Sequence, residues 1–235
     1  MNNWLDKLER KFSRYAIPNL MTYIIILYAA GFVLNLINPT FYSQFLSLDA
    51  GKILQGQIWR IVTFIIQPPS DSLIFIVFVL YLYYMIGKQL EAAWGAFRFN
   101  LYFFSGMLFI VIGAILAYLL TGAVLPMDTW YLNLSLFFAF AALYPDIQLL
   151  LFFVIPIKIK WLAYLDVALL AYSMITSILS GNWAGCVVIL CSLANVLVFF
   201  LMTRKGKHNS FRQNRRRKEF KKAVSRGEAE YRNPN

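Results

Sequence analysis

The chain has 235 residues, of which 60% are hydrophobic and 14% charged, and its formal net charge is +11. A soluble domain of this size carries about 25% charged residues. The composition therefore excludes an ordinary soluble globular protein and indicates a protein embedded in a membrane.

Residues 1–17 are predicted to form an amphipathic helix. Its apolar side chains fall within about 100° of a helical wheel, and they are Trp4, Leu5, Leu8, Phe12 and Tyr15. The opposite face is basic and consists of Lys7, Arg10, Lys11 and Arg14. This pattern is typical of a helix that lies in the membrane interface.

Residues 18–203 contain six apolar runs, which we predict to be transmembrane helices. The runs are 18–37, 73–87, 99–121, 130–144, 161–180 and 183–203. Several reach the roughly 20 residues that a spanning helix needs. We expect the two shorter ones, 73–87 and 130–144, to be extended at their ends or buried among the others. The predicted fold class is an all-α membrane protein with a bundle of six transmembrane helices.

The basic residues predict how this bundle is oriented. With six spans, 20 of the 22 lysines and arginines fall on the side of the two termini, and only Lys52 and Arg60 fall on the other. The positive-inside rule then places both termini in the cytosol. Because the sequence has no organelle-retrieval signal such as a terminal Lys-Asp-Glu-Leu, we expect a bacterial plasma membrane.

The tail, residues 204–235, holds twelve basic and three acidic residues. We expect it to be disordered and to bind anionic lipid on the cytosolic side. An alternative is that Arg215, Arg216, Arg217 and Lys218 bind nucleic acid or a ribosome, because a basic cluster attracts phosphate backbones equally well.

The segment 38–72 is the longest connection between predicted spans, and long connections in compact domains are often functional. It contains the sequence GQIWRIVTFIIQPPS, in which Trp59 and Arg60 interrupt an apolar run. Tryptophan suits the membrane interface, and an arginine there can snorkel or bond free backbone carbonyls. We therefore expect this loop to lie partly in the bilayer.

The Trp-Arg pair resembles the signature of the first external loop in the rhomboid superfamily, which includes rhomboid proteases and derlins. IGKQLEAAWGAFRFNLYFFSG, residues 86–106, is similar to the stretch that joins the second and third rhomboid spans. LYPDIQLLLFFVIPIKIKWL, residues 143–162, is similar to the segment between the fourth and fifth. The resemblance covers residues 40–165, and hydropathy extends it to about residue 200. It implies a rhomboid-like bundle of six transmembrane helices.

Several matched residues also have local structural roles. Gly87 and Gly95 are expected to allow close helix packing or a sharp turn, and Ser105 and Gly106 are small residues suited to helix packing in lipid. Glu91 is expected to bind the basic residues of the same cytosolic connection.

The chain departs from the rhomboid pattern at the positions of the catalytic residues. The resemblance implies a Gly-x-Ser nucleophile at the start of the fourth span, a histidine in the sixth, and a His and an Asn in the second that aid the oxyanion. Alignment places Trp130 at the nucleophile, Phe75 and Val79 at the oxyanion positions, and Ser192 at the histidine. The only histidine, His208, lies in the tail. Without a base, a serine hydroxyl is a poor nucleophile.

Three further polar residues of the predicted spans are candidates for helix or client contacts. Ser135 is more than a helical turn deeper than the nucleophile position and is expected to bond another helix or its own backbone. Asn195 is expected to contact another helix or a client. Asp166 is expected to pair with a cytosolic cation, and the alternatives are a client contact or a proton site. The candidate cations are Lys160, Lys158 and Arg98.

The spans contain neither the pair of facing carboxylates that an intramembrane aspartyl protease needs nor the His-Glu-x-x-His motif of a zinc site, and no cofactor or metal is expected. We therefore predict a catalytically inactive rhomboid-like protein, not an enzyme. The resemblance implies that it binds transmembrane helices of client proteins, at a lateral opening between the second and fifth spans. The alternatives are a rhomboid serine protease with an atypical site that uses Ser135, and a small transporter or channel.

Overall fold

The computed structural model describes residues 4–122, 129–151, 155–183, 185–191 and 193–197. Ten α-helices and two strands are seen in these ranges, together with short 3-10 helices at Ser13–Tyr15 and Phe64–Ile66 and a π-helix at Tyr42–Leu46. The helices are α1 (Trp4–Phe12), α2 (Leu20–Ile37), α3 (Pro39–Phe41), α4 (Ala50–Leu54), α5 (Arg60–Thr63), α6 (Leu73–Trp94), α7 (Ala96–Thr121), α8 (Trp130–Leu143), α9 (Ile159–Leu179) and α10 (Gly185–Leu197). The strands are β1 (Gln148–Leu151) and β2 (Ile155–Lys158).

Four helices are long and apolar enough to cross a membrane, namely α2, α6, α7 and α9. The remaining two predicted runs form the shorter apolar helices α8 and α10. As expected for the short runs, α6 extends seven residues past the predicted end, and eight of the 14 residues of α8 are buried. With 14 residues, α8 is about 21 Å long, which is less than the hydrocarbon thickness of a bilayer, about 30 Å.

The prediction of an all-α fold missed a β-hairpin between α8 and α9. Strands β1 and β2 pair antiparallel, with Gln148 opposite Lys158 and Leu151 opposite Ile155. The segment is a continuous apolar run, and such a run does not distinguish a strand from a buried helix by its periodicity. Pro156 has no backbone N–H to donate, so it is compatible with a short hairpin but not with a helix interior.

Two glycines have the roles that the sequence predicted, one at a close helix approach and one at a turn. A Cβ on Gly87 would overlap the side chain of Met21, so α2 and α6 pack directly against each other there. Gly95 has a φ of +85° and makes the turn between α6 and α7. Both roles expected of these glycines are therefore confirmed.

Polar contacts near the predicted cytosolic ends join the N-terminal segment to this bundle. Arg98 of α7 forms an ion pair with Glu9 of α1, with 2.7 Å between Nη2 and Oε2. Glu91 accepts a hydrogen bond from the backbone N–H of Asn19 at 2.8 Å, just before α2 begins. The expectation that Glu91 binds basic residues of its own connection is thus wrong; it instead satisfies an N–H at a helix start.

Helix α8 packs among several neighbouring helices, whereas α9 lies at the edge of this group. Among the described residues, α8 packs against α6, α7 and α9, while α6 and α9 approach each other at isolated points at most. Ile159 is the one buried residue in the described part of α9. An open groove therefore separates α6 from α9, and α8 forms its floor.

Candidate functional site

The loop between α2 and α6 is organised around a buried arginine. The side chain of Arg60 is 1% exposed. Its guanidinium donates hydrogen bonds to the Ser47 carbonyl at 2.8 Å, to Gln57 Oε1 at 2.7 Å and to the Gln44 carbonyl. Trp59 is half exposed, and its Nε1 donates to the carbonyl of Phe45 at 3.2 Å. Of the two roles predicted for Arg60, the structure shows the bonding of free carbonyls.

A buried polar network joins α7, α8 and α10. Ser105 donates to Asn195 Oδ1 at 2.9 Å, and Asn195 Nδ2 donates to the Tyr102 carbonyl at 3.4 Å. The Tyr102 hydroxyl donates to the Ser135 carbonyl at 2.8 Å. A Cβ on Gly106 would lie 2.7 Å from Asn195 Nδ2, so the network requires a glycine there. The helix-packing roles predicted for Ser105, Gly106 and Asn195 are confirmed.

Ser135 is buried and hydrogen-bonded within its own helix. Its side chain is 3% exposed, and its hydroxyl donates to the Leu132 carbonyl of the same helix at 2.8 Å. This is one of the two bonds that the sequence predicted for it. A backbone carbonyl holds the hydroxyl proton but is too weak a base to remove it.

The described positions that match the rhomboid chemistry differ in exposure and in whether they line the groove between α6 and α9. Trp130 begins α8 and is 56% exposed. Phe75 lies in the first turn of α6 and is 46% exposed, and Val79 is half-buried one turn later. Ser192, like the tail with His208, lies outside the described residues. Of these positions, Trp130 lines the groove between α6 and α9, and Phe75 and Val79 do not.

This groove, which we call the lateral groove, has a volume of about 190 Å³. Helices α6, α8 and α9 and strand β1 contribute its lining, which is mostly apolar and aromatic. The lining residues are Phe78, Leu82, Tyr83, Trp130, Asn133, Leu134, Phe137, Leu149, Leu162 and Asp166. The lateral groove lies between α6 and α9, the helices formed by the second and fifth predicted runs.

Asp166 lies in this lining, and the expectation that it pairs with a basic residue is wrong. Lys158 and Lys160 instead lie 3.8 and 3.3 Å from Oδ1 of Asp146, next to the hairpin. Arg98, the third candidate, pairs with Glu9 of α1. Within the described part of the chain, the half-buried carboxyl of Asp166 has neither an ion pair nor a hydrogen bond. The β-hairpin explains the difference, because it draws both lysines toward Asp146.

Asn133 is a groove residue that the sequence analysis overlooked. Its side chain is 1% exposed, and its Oδ1 accepts a hydrogen bond from the Tyr28 hydroxyl at 3.0 Å. Its Nδ2 is buried and has no hydrogen-bond partner among the described residues. The available signal was a single amide in the apolar run that starts at Trp130. Together, Asn133 and Asp166 give an apolar groove two polar groups.

Most of the chain matches a known protein family. Residues 19–202 match DUF1751, a family described as eukaryotic integral membrane proteins. A comparison with curated proteins gave no match. The prediction of a bacterial plasma membrane is wrong, because the family is eukaryotic. The distribution of lysine and arginine predicts which side of the membrane each loop faces, and it does not distinguish bacterial from eukaryotic membranes. Because the match covers more than half of its length, the chain belongs to the DUF1751 family of eukaryotic integral membrane proteins.

Proposed function

We propose that this chain is a catalytically inactive, rhomboid-like membrane protein that binds transmembrane segments of client proteins in the lateral groove. In this proposal α2, α6, α7, α8, α9 and α10 all cross or enter the membrane, as in a rhomboid bundle. The order of the three matched segments supports it, and so does the loop held by Arg60. The family description supports the membrane location alone.

The observation that carries the proposal is the lateral groove itself. In this proposal a client helix approaches it from the lipid and stays at its opening, because α6 and α9 leave a gap and α8 closes its inner side. Trp130, at the position that matches the nucleophile, lines this groove. An aromatic side chain there offers contact area and no chemistry. A retained groove with a non-reactive residue in it favours binding over cleavage.

The polar residues of the spans support the same choice. Ser135 donates its hydroxyl proton within its own helix, and residues 1–207 contain no histidine to act as its base. The network of Ser105, Tyr102 and Asn195 joins helices. A transporter needs polar groups along a path shared by several helices. The polar side chains named above instead bond within or between helices, which favours a binding protein over a transporter.

Co-reconstitution in liposomes tests this proposal. The full chain, labelled with a donor fluorophore, is mixed with single-span peptides that carry an acceptor. We expect energy transfer above that of a lipid-matched, unrelated membrane protein, and we expect the peptides to remain intact. Cleavage that a Ser135→Ala change abolishes would contradict the proposal, and so would energy transfer no higher than in the control.

A further inference from the structure

The lateral groove contains two polar side chains with unused hydrogen-bonding capacity. Asn133 Nδ2 is buried without a partner among the described residues, while Oδ1 of the same amide accepts from Tyr28. Asp166 lines the groove from α9 and has no partner in the described ranges. The remaining lining residues are apolar or aromatic. The amide of Asn133 and the carboxyl of Asp166 thus offer a donor and an acceptor in a groove whose other lining side chains are apolar or aromatic, with Tyr83 and Trp130 as the aromatic residues that have a polar group.

Lipid alone is a poor occupant of such a groove. Acyl chains have no hydrogen-bonding groups, and an unsatisfied polar group in hydrocarbon is strongly unfavourable. An occupant that brings both an acceptor and a donor would satisfy Asn133 and Asp166 at once. A primary carboxamide has both groups on one planar head.

We propose that the lateral groove selects client transmembrane helices that carry an asparagine or glutamine side chain at the depth of Asn133 and Asp166. The carboxamide oxygen of the client accepts from Asn133 Nδ2, and its NH₂ group donates to the Asp166 carboxyl. A helix about 10 Å wide cannot enter a volume of about 190 Å³, so the helix stays at the opening and one side chain inserts. This inference rests on the proposed function and names the client class.

The test uses the full chain in phosphatidylcholine liposomes and three single-span peptides of roughly 20 apolar residues. One peptide has a central asparagine, the second a leucine at that position, and the third a glycine pair that loosens the helix without offering an amide. Binding is measured by energy transfer as the peptide-to-lipid ratio is varied. We expect the asparagine peptide to bind about tenfold more tightly than the other two, the upper range for an interhelical hydrogen bond in a bilayer.

Variants separate recognition from folding. Asp166→Leu and Asn133→Leu are both expected to reduce the preference for asparagine to about twofold or less, and Asp166→Asn is expected to keep part of it. Asn195→Leu is the matched control: it makes the same change at a buried asparagine in the α7–α10 contact, and the preference should remain. Asp166 has no partner among the described residues, so its replacement is not expected to unfold the protein even if Asn133→Leu does.

The possible outcomes distinguish the two proposals. Equal binding of all three peptides would overturn the inference and leave client binding intact. Tight binding of the glycine peptide would overturn it as well, because helix loosening and not the amide would then be recognised. If no peptide binds, both the inference and the proposed function fail. A preference that survives Asp166→Leu and Asn133→Leu would place recognition outside the lateral groove.

Discussion

Replacing Arg60 by leucine should release the loop between α2 and α6. The guanidinium donates to the backbone carbonyls of Ser47 and Gln44 and to the side chain of Gln57, and it is almost fully buried. Leucine fills similar space and donates nothing. A buried polar group that loses its partner costs about 1–3 kcal/mol, so the two carbonyls together cost about 2–6 kcal/mol. Removing a buried charge offsets part of this, and we expect a net loss of about 3 kcal/mol.

Unfolding in mixed micelles by sodium dodecyl sulfate, followed by tryptophan fluorescence, measures this loss. Lys52→Gln is the matched control, since Lys52 lies in the same loop but its partly exposed ammonium is 3.7 Å from Asp49. An exposed pair of this kind contributes at most about 1 kcal/mol. Arg60→Lys should be intermediate, because one ammonium cannot replace the guanidinium fork. If Arg60→Leu unfolds at the same detergent fraction as Lys52→Gln, the arginine does not hold the loop.

Two further changes test the packing of the helices and the position of α1. Gly106→Val should lower the unfolding midpoint in the same micelle assay, because its Cβ would lie 2.7 Å from the Asn195 amide; Gly51→Ala, with its nearest contact at 3.4 Å, should change it little. Glu9→Gln removes the ion pair with Arg98 and should cost no more than about 1 kcal/mol, while trypsin cleavage before α2 becomes faster. Unchanged unfolding in the glycine variant, or unchanged cleavage rates after Glu9→Gln, would contradict these contacts.

The sequence predicts well those features that depend on one local property. Among the described residues, hydropathy located the four helices that are long and apolar enough to cross a membrane and the two shorter apolar helices, because such helices satisfy their backbone groups internally and expose apolar side chains. Gly87 and Gly106 were identified from their size, and close approaches in the structure agree, while Gly95 makes the predicted turn with a positive φ. The role of Arg60 follows from the same reasoning, since a loop at the membrane interface leaves carbonyls that an arginine can bond.

Features that depend on which partner is nearest were not predictable in this way. The β-hairpin, hidden in an apolar run, places Asp146 beside Lys158 and Lys160 and so leaves Asp166 unpaired within the described residues. Asn133 and Asn195 are both buried, but among the described residues only Nδ2 of Asn195 has a hydrogen-bond acceptor. A single sequence does not contain that information.

Client binding in the lateral groove is tested most directly by photocrosslinking within one helix. A benzophenone amino acid is placed at Leu162, which lines the groove, and in a second protein at Tyr164, which is 65% exposed. The two positions differ by about 160° around α9 and lie at similar depth. With single-span peptides in liposomes, we expect peptide adducts from Leu162 and mainly lipid adducts from Tyr164. Equal peptide adducts from both positions, or none from Leu162, would contradict the proposed binding site.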